Sequence, residues 1–151
     1  MTLENLIQNY FNTEFKHFNT DFNIFLLKAS SRKEVHHLPD VIHKWNGKKL
    51  HRITLTKQIN DNEISMPGVY VFWNNGEVLR VGRSLTNTRK RAMDYYDKSV
   101  QFRNELLKDN KNLRLMLLNV KTKKLLHWAA ALEIYFEDNL NPKIKAKHRG
   151  K

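Results

Sequence analysis

A tyrosine, two arginines and a glutamate in the second half of the chain form a combination that suits phosphodiester chemistry. Tyr70 and Arg80 lie on either side of a short Asn-Asn-Gly sequence, Arg91 follows in a basic stretch, and Glu133 lies further along. Hydrolysis of a phosphodiester requires a positioned water, neutralisation of charge on the phosphoryl oxygens and assistance to the leaving oxygen. Guanidinium groups bind phosphate in a planar, bidentate manner, and a carboxylate can hold a divalent ion. These four residues are therefore the candidates for a catalytic site.

The tyrosine and the arginines also have an ordinary structural explanation. A strand tyrosine such as Tyr70 usually packs with its hydroxyl at the rim of the core. Arg89, Lys90 and Arg91 point in different directions at helical spacing, so they cannot all meet one phosphate. Together they can equally form a solvated basic face. Tyr95 lies one turn after Arg91 on the same helical face, where it is either a hydrogen-bond donor or a core residue.

Glu133 is the strongest carboxylate candidate. Alanines occupy positions 129–131 in the same predicted helix, so small side chains leave room for a ligand beside the carboxylate. The alternative is a solvated helix glutamate, which is common on protein surfaces. Glu137 and Asp138 are expected to be surface charges of that kind.

The segments GVYVFW and EVLRVG predict a β-hairpin, because both are rich in β-branched and aromatic residues and Asn-Asn-Gly separates them. A two-residue Asn75-Gly76 loop would pair Tyr70 with Val81. A three-residue loop beginning at Asn74 would pair Tyr70 with Arg80 instead. Directly opposite residues share a face of the sheet, so a one-residue slip decides whether the tyrosine and the arginine cooperate. We favour the three-residue loop.

The end of the second hairpin strand supplies further candidates. Gly82 has no side chain, so it allows a ligand to approach the backbone closely. Ser84 is expected either to cap the next helix or to bind phosphate, and Arg83 between them is a candidate contact to nucleic acid.

The remaining pattern predicts helices and short strands on both sides of this hairpin. Helices are predicted over 3–15, 87–97 (with Asn87 as its N-cap), 99–109 and 126–140. Strands are predicted over 50–56 and 113–120, turns over 30–48 and 121–124, and a loop over 57–65. The segment 22–28 is either a strand or a buried turn of helix. The last helix is expected to bury Trp128, Leu132, Tyr135 and Phe136 and to end at Asn141-Pro142.

The order of these elements predicts an α+β fold. The hairpin and the strand at 113–120 can form a small three-stranded antiparallel sheet flanked by helices. Residues 1–65 would form an N-terminal α/β extension of unknown role. Residues 66–151 would form the domain that holds the candidate site.

Composition narrows the choice of partners. The 151 residues include 27 lysines and arginines against 15 aspartates and glutamates, which gives a net charge of +12. Such an excess attracts polyanions, of which nucleic acid is the commonest. No apolar run approaches a membrane span of roughly 20 residues, so no membrane partner is expected. The segment 143–151, which includes Lys143, Lys145 and Lys147, is either disordered or a phosphate-binding arm.

The absence of cysteine limits the chemistry further. A chain without cysteine has no disulfide, no thiol nucleophile and no cysteine zinc site. The first residues also lack a signal-like apolar region. We therefore expect an intracellular, cytoplasmic protein, and the sequence leaves open whether it is a monomer or a homodimer.

With these residues laid out, the chain from about residue 67 to residue 145 resembles the GIY-YIG nuclease family. GVY at 68–70 is similar to the family's GIY, and RVG at 80–82 stands in the place of its YIG. The sequence GRSLTNTRKR supplies a serine and Arg91 in the place of the family's helix arginine, with Tyr95 one turn later. ALEIYFEDNLNPKIK is similar to the family's late helix, in which Glu133 has the place of the metal-binding glutamate.

This resemblance implies a small α+β domain that cleaves nucleic acid with one bound Mg²⁺ or Mn²⁺. By the resemblance, Glu133 holds the ion, Tyr70 positions or activates the attacking water, and Arg91 stabilises the phosphoryl charge. The expected function is that of a metal-dependent DNA endonuclease. The alternatives are a catalytically degenerate nucleic-acid-binding module on the same fold and an RNA-directed nuclease.

Two positions depart from the family pattern. The YIG tyrosine is replaced by Arg80, and a guanidinium cannot be deprotonated at working pH, so it cannot serve as a general base. Arg80 would instead bind the scissile phosphate, or its presence would mean that activity is lost. The asparagine that the family has shortly after its proline is Lys145 by position, which could still contact phosphate.

Overall fold

The structure, a computed structural model, describes residues 22–36, 41–45, 50–54, 64–74, 77–96 and 112–144. Within these ranges the chain forms one six-stranded sheet in the order β3-β2-β1-β6-β4-β5. Every pair of neighbouring strands is antiparallel. The strands are β1 (Phe22–Lys28), β2 (Val41–Trp45), β3 (Leu50–Thr54), β4 (Gly68–Asn74), β5 (Glu77–Ser84) and β6 (Arg114–Val120).

The sheet is larger than the sequence predicted. The expected strands β4, β5 and β6 are present, but the prediction of a three-stranded sheet is wrong, because β1 pairs with β6 along its whole length, from Phe22 opposite Val120 to Lys28 opposite Arg114. β2 and β3 continue the sheet beyond β1. Segment 22–28 is thus a strand, and β2 forms within the stretch that was predicted to be turns.

Within the described ranges three helices accompany the sheet, which confirms an α+β fold. They are α1 (Arg32–His36), α2 (Thr88–Met93) and α3 (Leu126–Leu140). A 3₁₀ turn, Asp94–Tyr96, follows α2, and another, Lys123–Leu125, precedes α3. Asn87 is the N-cap of α2 as predicted, since its side-chain oxygen accepts a hydrogen bond from the Lys90 amide at 3.0 Å. The predicted helices 3–15 and 99–109 lie outside the described residues, as does the predicted loop 57–65 except for its last two residues.

The two faces of the sheet carry separate cores. Val69, Val71 and Val81 pack against α3 on one face, together with its buried Leu132 and Phe136. On the other face, a second core contains residues of β1, β4, β5, β6, α2 and the turn that follows α2: Phe25, Tyr70, Phe72, Leu79, Ala92, Tyr95, Leu115 and Leu117. The hairpin therefore has helices on both sides.

The buried stripe of α3 differs from the prediction at several positions. Leu132 and Phe136 are buried as expected, but Trp128 and Tyr135 are only partly buried. Glu137 was expected at the surface and is 7% exposed instead. It lies one turn after Glu133 on a helix face that the sheet covers, so helical spacing buries both carboxylates.

Next to the loop the hairpin has the register of the two-residue Asn75-Gly76 alternative, and beyond a bulge it differs from both predicted alternatives. Asn74 lies opposite Glu77, and a bulge then shifts the pairing by one residue, so that Phe72 lies opposite Arg80 and Tyr70 opposite Gly82. The bulge places one extra residue, Leu79, in β5. The predicted three-residue loop, which would have paired Tyr70 with Arg80, is therefore wrong.

The bulge nevertheless brings the predicted partners to one face. Arg80 and Gly82 are two residues apart in β5, so both lie on the face of the sheet that carries Tyr70. Without the extra residue, Tyr70 would lie opposite Val81, whose side chain belongs to the core under α3. The cooperation between Tyr70 and Arg80 arises from a diagonal relation rather than from direct pairing.

The chain that leaves α3 returns to the free edge of β5. Asn141 ends the helix in the left-handed conformation, with φ of 49°, a cap that asparagine tolerates well. The Lys143 amide then donates to the Val78 carbonyl at 3.1 Å, and the Ile144 amide donates to the Leu79 carbonyl at 2.8 Å. This segment pairs in parallel with β5 at the position of the bulge. None of the helices in the described part of the chain is long and apolar enough to cross a membrane.

Candidate active site

A cavity of about 210 Å³ lies where the hairpin, α2 and α3 meet. Its lining residues come from four elements: Tyr70, Arg80, Gly82, Arg83, Arg91 and Glu133. The four predicted catalytic residues are thus brought together in one cavity. Its volume exceeds the roughly 30 Å³ that one water occupies in the liquid, so it has room for a phosphate group and a water.

Gly82 allows Tyr70 to take its place in this cavity. A Cβ atom at position 82 would lie 2.2 Å from both the Cζ and the Oη atoms of Tyr70. The tyrosine ring therefore lies directly across the glycine, in space that any side chain would occupy. Gly82 thus admits the Tyr70 ring, and it also lines the cavity. The approach of a ligand to its backbone stays a prediction.

Tyr95 links Tyr70 to Arg80. The Tyr95 and Tyr70 hydroxyls are hydrogen-bonded at 2.9 Å, and the Nε of Arg80 donates to the Tyr95 hydroxyl oxygen, also at 2.9 Å. Arg80 Nη1 donates in addition to the Ile144 carbonyl at 3.4 Å. Arg80 is thus held between the turn that follows α2 and the segment that follows α3.

The electrostatics of this cluster favour protonated forms. Burial is the main cause that raises the pKa of the Tyr70 phenol, and the neighbouring Tyr95 raises it further. Burial alone would lower the pKa of Arg80, but Tyr95, Tyr70 and Glu137 together raise it above its usual value. Arg91 follows the same pattern. Burial lowers the pKa of its guanidinium, but the combined effect of Tyr70, Asp94 and Tyr95 is larger and raises that pKa above its usual value. Tyr70 is therefore a neutral phenol beside charged guanidinium groups.

Glu133 is the one carboxylate among the residues that line the cavity. It is 3% exposed, and its Oε1 lies 4.0 Å from Nη1 of Arg83. The lining thus combines three guanidinium groups with one carboxylate, which gives the cavity a net positive charge. Such a lining attracts an anion with several oxygens, such as phosphate.

A divalent ion would have one protein ligand here. The described part of the chain contains no cluster of three or more histidine, aspartate or glutamate side chains that could hold a metal. Mg²⁺ usually keeps several waters and binds through one or two carboxylates together with substrate phosphates. The Glu133 carboxylate in a cavity that attracts phosphate fits this mode of binding.

Several predicted nucleic-acid contacts have other roles or lie away from the cavity lining. The Ser84 hydroxyl accepts hydrogen bonds from the Thr86 and Asn87 amides and so organises the turn into α2. Arg89 donates to the Val35 and His36 carbonyls at the end of α1. Lys90 is exposed on α2.

The basic segment at the end of the chain is only partly described. Lys143 forms an exposed ion pair with Glu77 at 3.4 Å, at the start of β5. Lys145 and Lys147 lie outside the described residues.

One residue of the site was missed by the sequence analysis. Glu137 contributes to the raised pKa of Arg80 although it does not line the cavity. Its spacing of one helical turn from Glu133 was the available signal, because side chains four residues apart share a helix face.

No protein-family model, curated protein or solved structure matches this chain. The function is therefore inferred from the geometry and charge of the cavity itself.

Proposed function

We propose that the protein is a metal-dependent endonuclease that hydrolyses phosphodiester bonds in nucleic acid, with DNA as the leading substrate. The observation that carries this proposal is the cavity in which Tyr70, Arg80, Arg83, Arg91 and Glu133 meet. The net charge of +12 supports a polyanionic substrate. The resemblance to the GIY-YIG nucleases, which rests on the same residues, points to the same chemistry.

The residues divide the work of hydrolysis between them. A water attacks phosphorus, a new P–O bond forms, and the bond to the leaving sugar oxygen breaks. The proton that the water loses passes to solvent, and the leaving oxygen takes up a proton from solvent. Arg91 and Arg83 neutralise the charge that develops on the phosphoryl oxygens. Glu133 would hold Mg²⁺ or Mn²⁺, which supplies Lewis-acid charge when bound and lowers the pKa of a coordinated water. Because Tyr70 is a neutral phenol, it serves as a hydrogen-bond donor or water-positioning group.

The test is cleavage of supercoiled plasmid DNA by the purified protein with Mg²⁺ or Mn²⁺, with EDTA as the metal-free control. Glu133→Gln removes the charge of the carboxylate and keeps its shape, so it should lower the rate of nicking at least about 100-fold, the scale typical of a single group that stabilises a transition state. Asp138→Asn is the matched control, because it removes one exposed carboxylate from the same helix. Equal loss in both variants, or none in either, would contradict the proposal.

A second candidate is a nucleic-acid-binding module without turnover. The observation in its favour is that three guanidinium groups share the cavity with one carboxylate, and that Arg83 lies 4.0 Å from that carboxylate. Arg83 could then occupy the position of a cation beside Glu133. In that case wild-type protein and Glu133→Gln would bind DNA or RNA equally well, and neither would cleave it.

A further inference from the structure

We propose that Arg80, Tyr95 and Tyr70 form a directional chain of hydrogen bonds that presents the Tyr70 hydroxyl proton to an anionic oxygen in the cavity. Tyr70 then contacts the ligand, and Tyr95 is a positioning residue that acts through it. The inference rests on the proposed function in taking a phosphate as the ligand. It goes further than that function because it makes Arg80 the first donor in the chain of hydrogen bonds.

The direction of the chain starts at Arg80. Its Nε–H can only donate, and it points at the Tyr95 oxygen at 2.9 Å. A phenol oxygen that accepts from a cation becomes a poorer acceptor, and its own hydroxyl becomes a better donor, because successive hydrogen bonds polarise one another. The Tyr70 oxygen lies 2.9 Å from that hydroxyl. The favoured order is therefore Arg80 to Tyr95 to Tyr70.

The Tyr70 proton is then directed to the cavity. Tyr70 lines the cavity together with three arginines, so the ligand that this lining selects carries negative charge and accepts hydrogen bonds. Burial of the Tyr70 phenol keeps it protonated. A donor placed in this way resembles the groups that stabilise a developing oxyanion during catalysis.

Packing fixes the two rings that carry the chain. The Tyr70 and Tyr95 ring centroids are 5.7 Å apart with an interplanar angle of 71°, and Phe72 contacts both rings edge-on or tilted. The Tyr70 ring packs directly against the backbone of Gly82, with no room for a side chain between them. Both tyrosines are at most 2% exposed. Replacing either tyrosine by phenylalanine therefore removes a hydroxyl and leaves the ring in place.

The experiment is a double-mutant cycle on the binding of inorganic phosphate, measured by calorimetry without metal. Tyr70→Phe and Tyr95→Phe should each weaken phosphate binding about tenfold, the upper range for a net hydrogen bond. The double variant should be no weaker than the single ones, since both substitutions break the same chain. Tyr96→Phe is the matched control: Tyr96 adjoins Tyr95, but its hydroxyl donates to the Ala29 carbonyl, so affinity should not change.

Three results would overturn the inference. Unchanged affinity in Tyr95→Phe would show that Tyr95 does not act through Tyr70. Additive losses in the double variant would show two independent contacts or a merely structural role. Absence of phosphate binding by the wild-type protein would also refute it, whereas phosphate binding without plasmid cleavage would refute only the proposed nuclease function.

A second cycle covers the case in which Tyr95→Phe does not fold. Arg80→Lys keeps the positive charge but removes the Nε–H that points at Tyr95. If the chain starts at Arg80, this substitution should weaken phosphate binding in the wild-type background and have a smaller effect in Tyr70→Phe. An equal effect in both backgrounds would contradict the proposed chain.

Discussion

Arg80 is the residue at which this site differs most clearly from the nuclease motif that we expected from the sequence. A tyrosine at this position could lose a proton, whereas the guanidinium keeps its charge, and its neighbours raise its pKa still further despite burial. Arg80, in β5, also contacts two other parts of the fold: Tyr95 in the turn after α2 and the Ile144 carbonyl in the segment after α3. It lines the cavity as well. At this position the chain therefore has a permanent positive charge instead of a side chain that could act as a base.

The buried phenols should make the fold sensitive to alkali. Burial raises the pKa of Tyr70 and of Tyr96 above the ordinary value of 10.0. In the unfolded chain these phenols lose their protons above pH 10, while in the folded protein they keep them. The free energy of unfolding is therefore unaffected by these groups below pH 10 and falls as the pH rises further, by at most about 1.4 kcal/mol per pH unit for each tyrosine.

Urea denaturation at pH 8 and at several values above pH 10 would measure this effect. Tyr70→Phe lacks the ionisable group, so its free energy of unfolding should fall less steeply than that of the wild-type protein. Tyr96→Phe should behave in the same way for the same reason. Parallel curves for all three proteins would show that neither phenol has a raised pKa.

At the scale of elements, the sequence predicted what is local and missed what depends on tertiary structure. The strands of the hairpin, the Asn87 cap and the long last helix each carry a local signal, and all are present. The bulge at Leu79 could not be predicted from the residues of the turn. Its position depends on how the side chains of β5 pack on both faces of the sheet, and that packing is tertiary. The pairing of β1 with β6 joins segments distant in the chain, for which a single sequence carries no register signal.

The residues that line the cavity could be selected from the sequence, whereas the hairpin register that brings them together could not. Tyr70, Arg91 and Glu133 stood out by residue type and order, and the cavity unites them. The prediction for Glu137 was wrong, because charge alone suggested the surface while the helix face is covered by the sheet. Residue type and order thus selected side chains that line one cavity, and only the fold showed their mutual arrangement.

Gly82→Ala tests the observed register of β4 and β5. The new methyl group would meet the Tyr70 ring at 2.2 Å, so either the ring or the strand must move. We expect the free energy of unfolding to fall by about 1–3 kcal/mol, as for other overpacked sites, and phosphate binding to be lost. The backbone at Gly82 is outside the left-handed region, so the cost comes from the ring and not from the glycine conformation.

The control is to make Gly82→Ala in a protein that already carries Tyr70→Ala. The free energy of unfolding of each variant is measured by urea denaturation. Without the ring there is space for the methyl group, so Gly82→Ala should cost much less in that background. The same cost with and without the Tyr70 ring would mean that Gly82 does not lie beneath it.

At the scale of the whole molecule, charge and cavity point to the same class of partner. A net charge of +12 favours a polyanionic partner, and three guanidinium groups line the cavity that we propose binds phosphate. Ile144, in the segment after α3, pairs with Arg80 of β5. Arg80 is one of the residues that line the cavity.

Removal of residues 145–151 tests the contribution of this basic sequence. The truncation deletes Lys145, Lys147, Arg149 and Lys151 and keeps Lys143 and Ile144, which pair with β5. DNA binding should weaken uniformly across sequences. The slope of log K against log salt should become shallower by up to about 0.9 for each phosphate that the shortened chain no longer neutralises. An unchanged slope in filter-binding or anisotropy titrations would show that these residues do not bind the phosphate backbone.

The most direct test of the central claim compares binding and cleavage of one labelled DNA duplex by the wild-type protein and Glu133→Gln. Dissociation constants are measured in EDTA, and single-turnover rates are measured with Mn²⁺. We predict that the two proteins bind the duplex with similar affinity and that only the wild-type protein cleaves it. Binding by both proteins without cleavage by either would contradict a hydrolytic site and leave a nucleic-acid-binding module as the function of this fold.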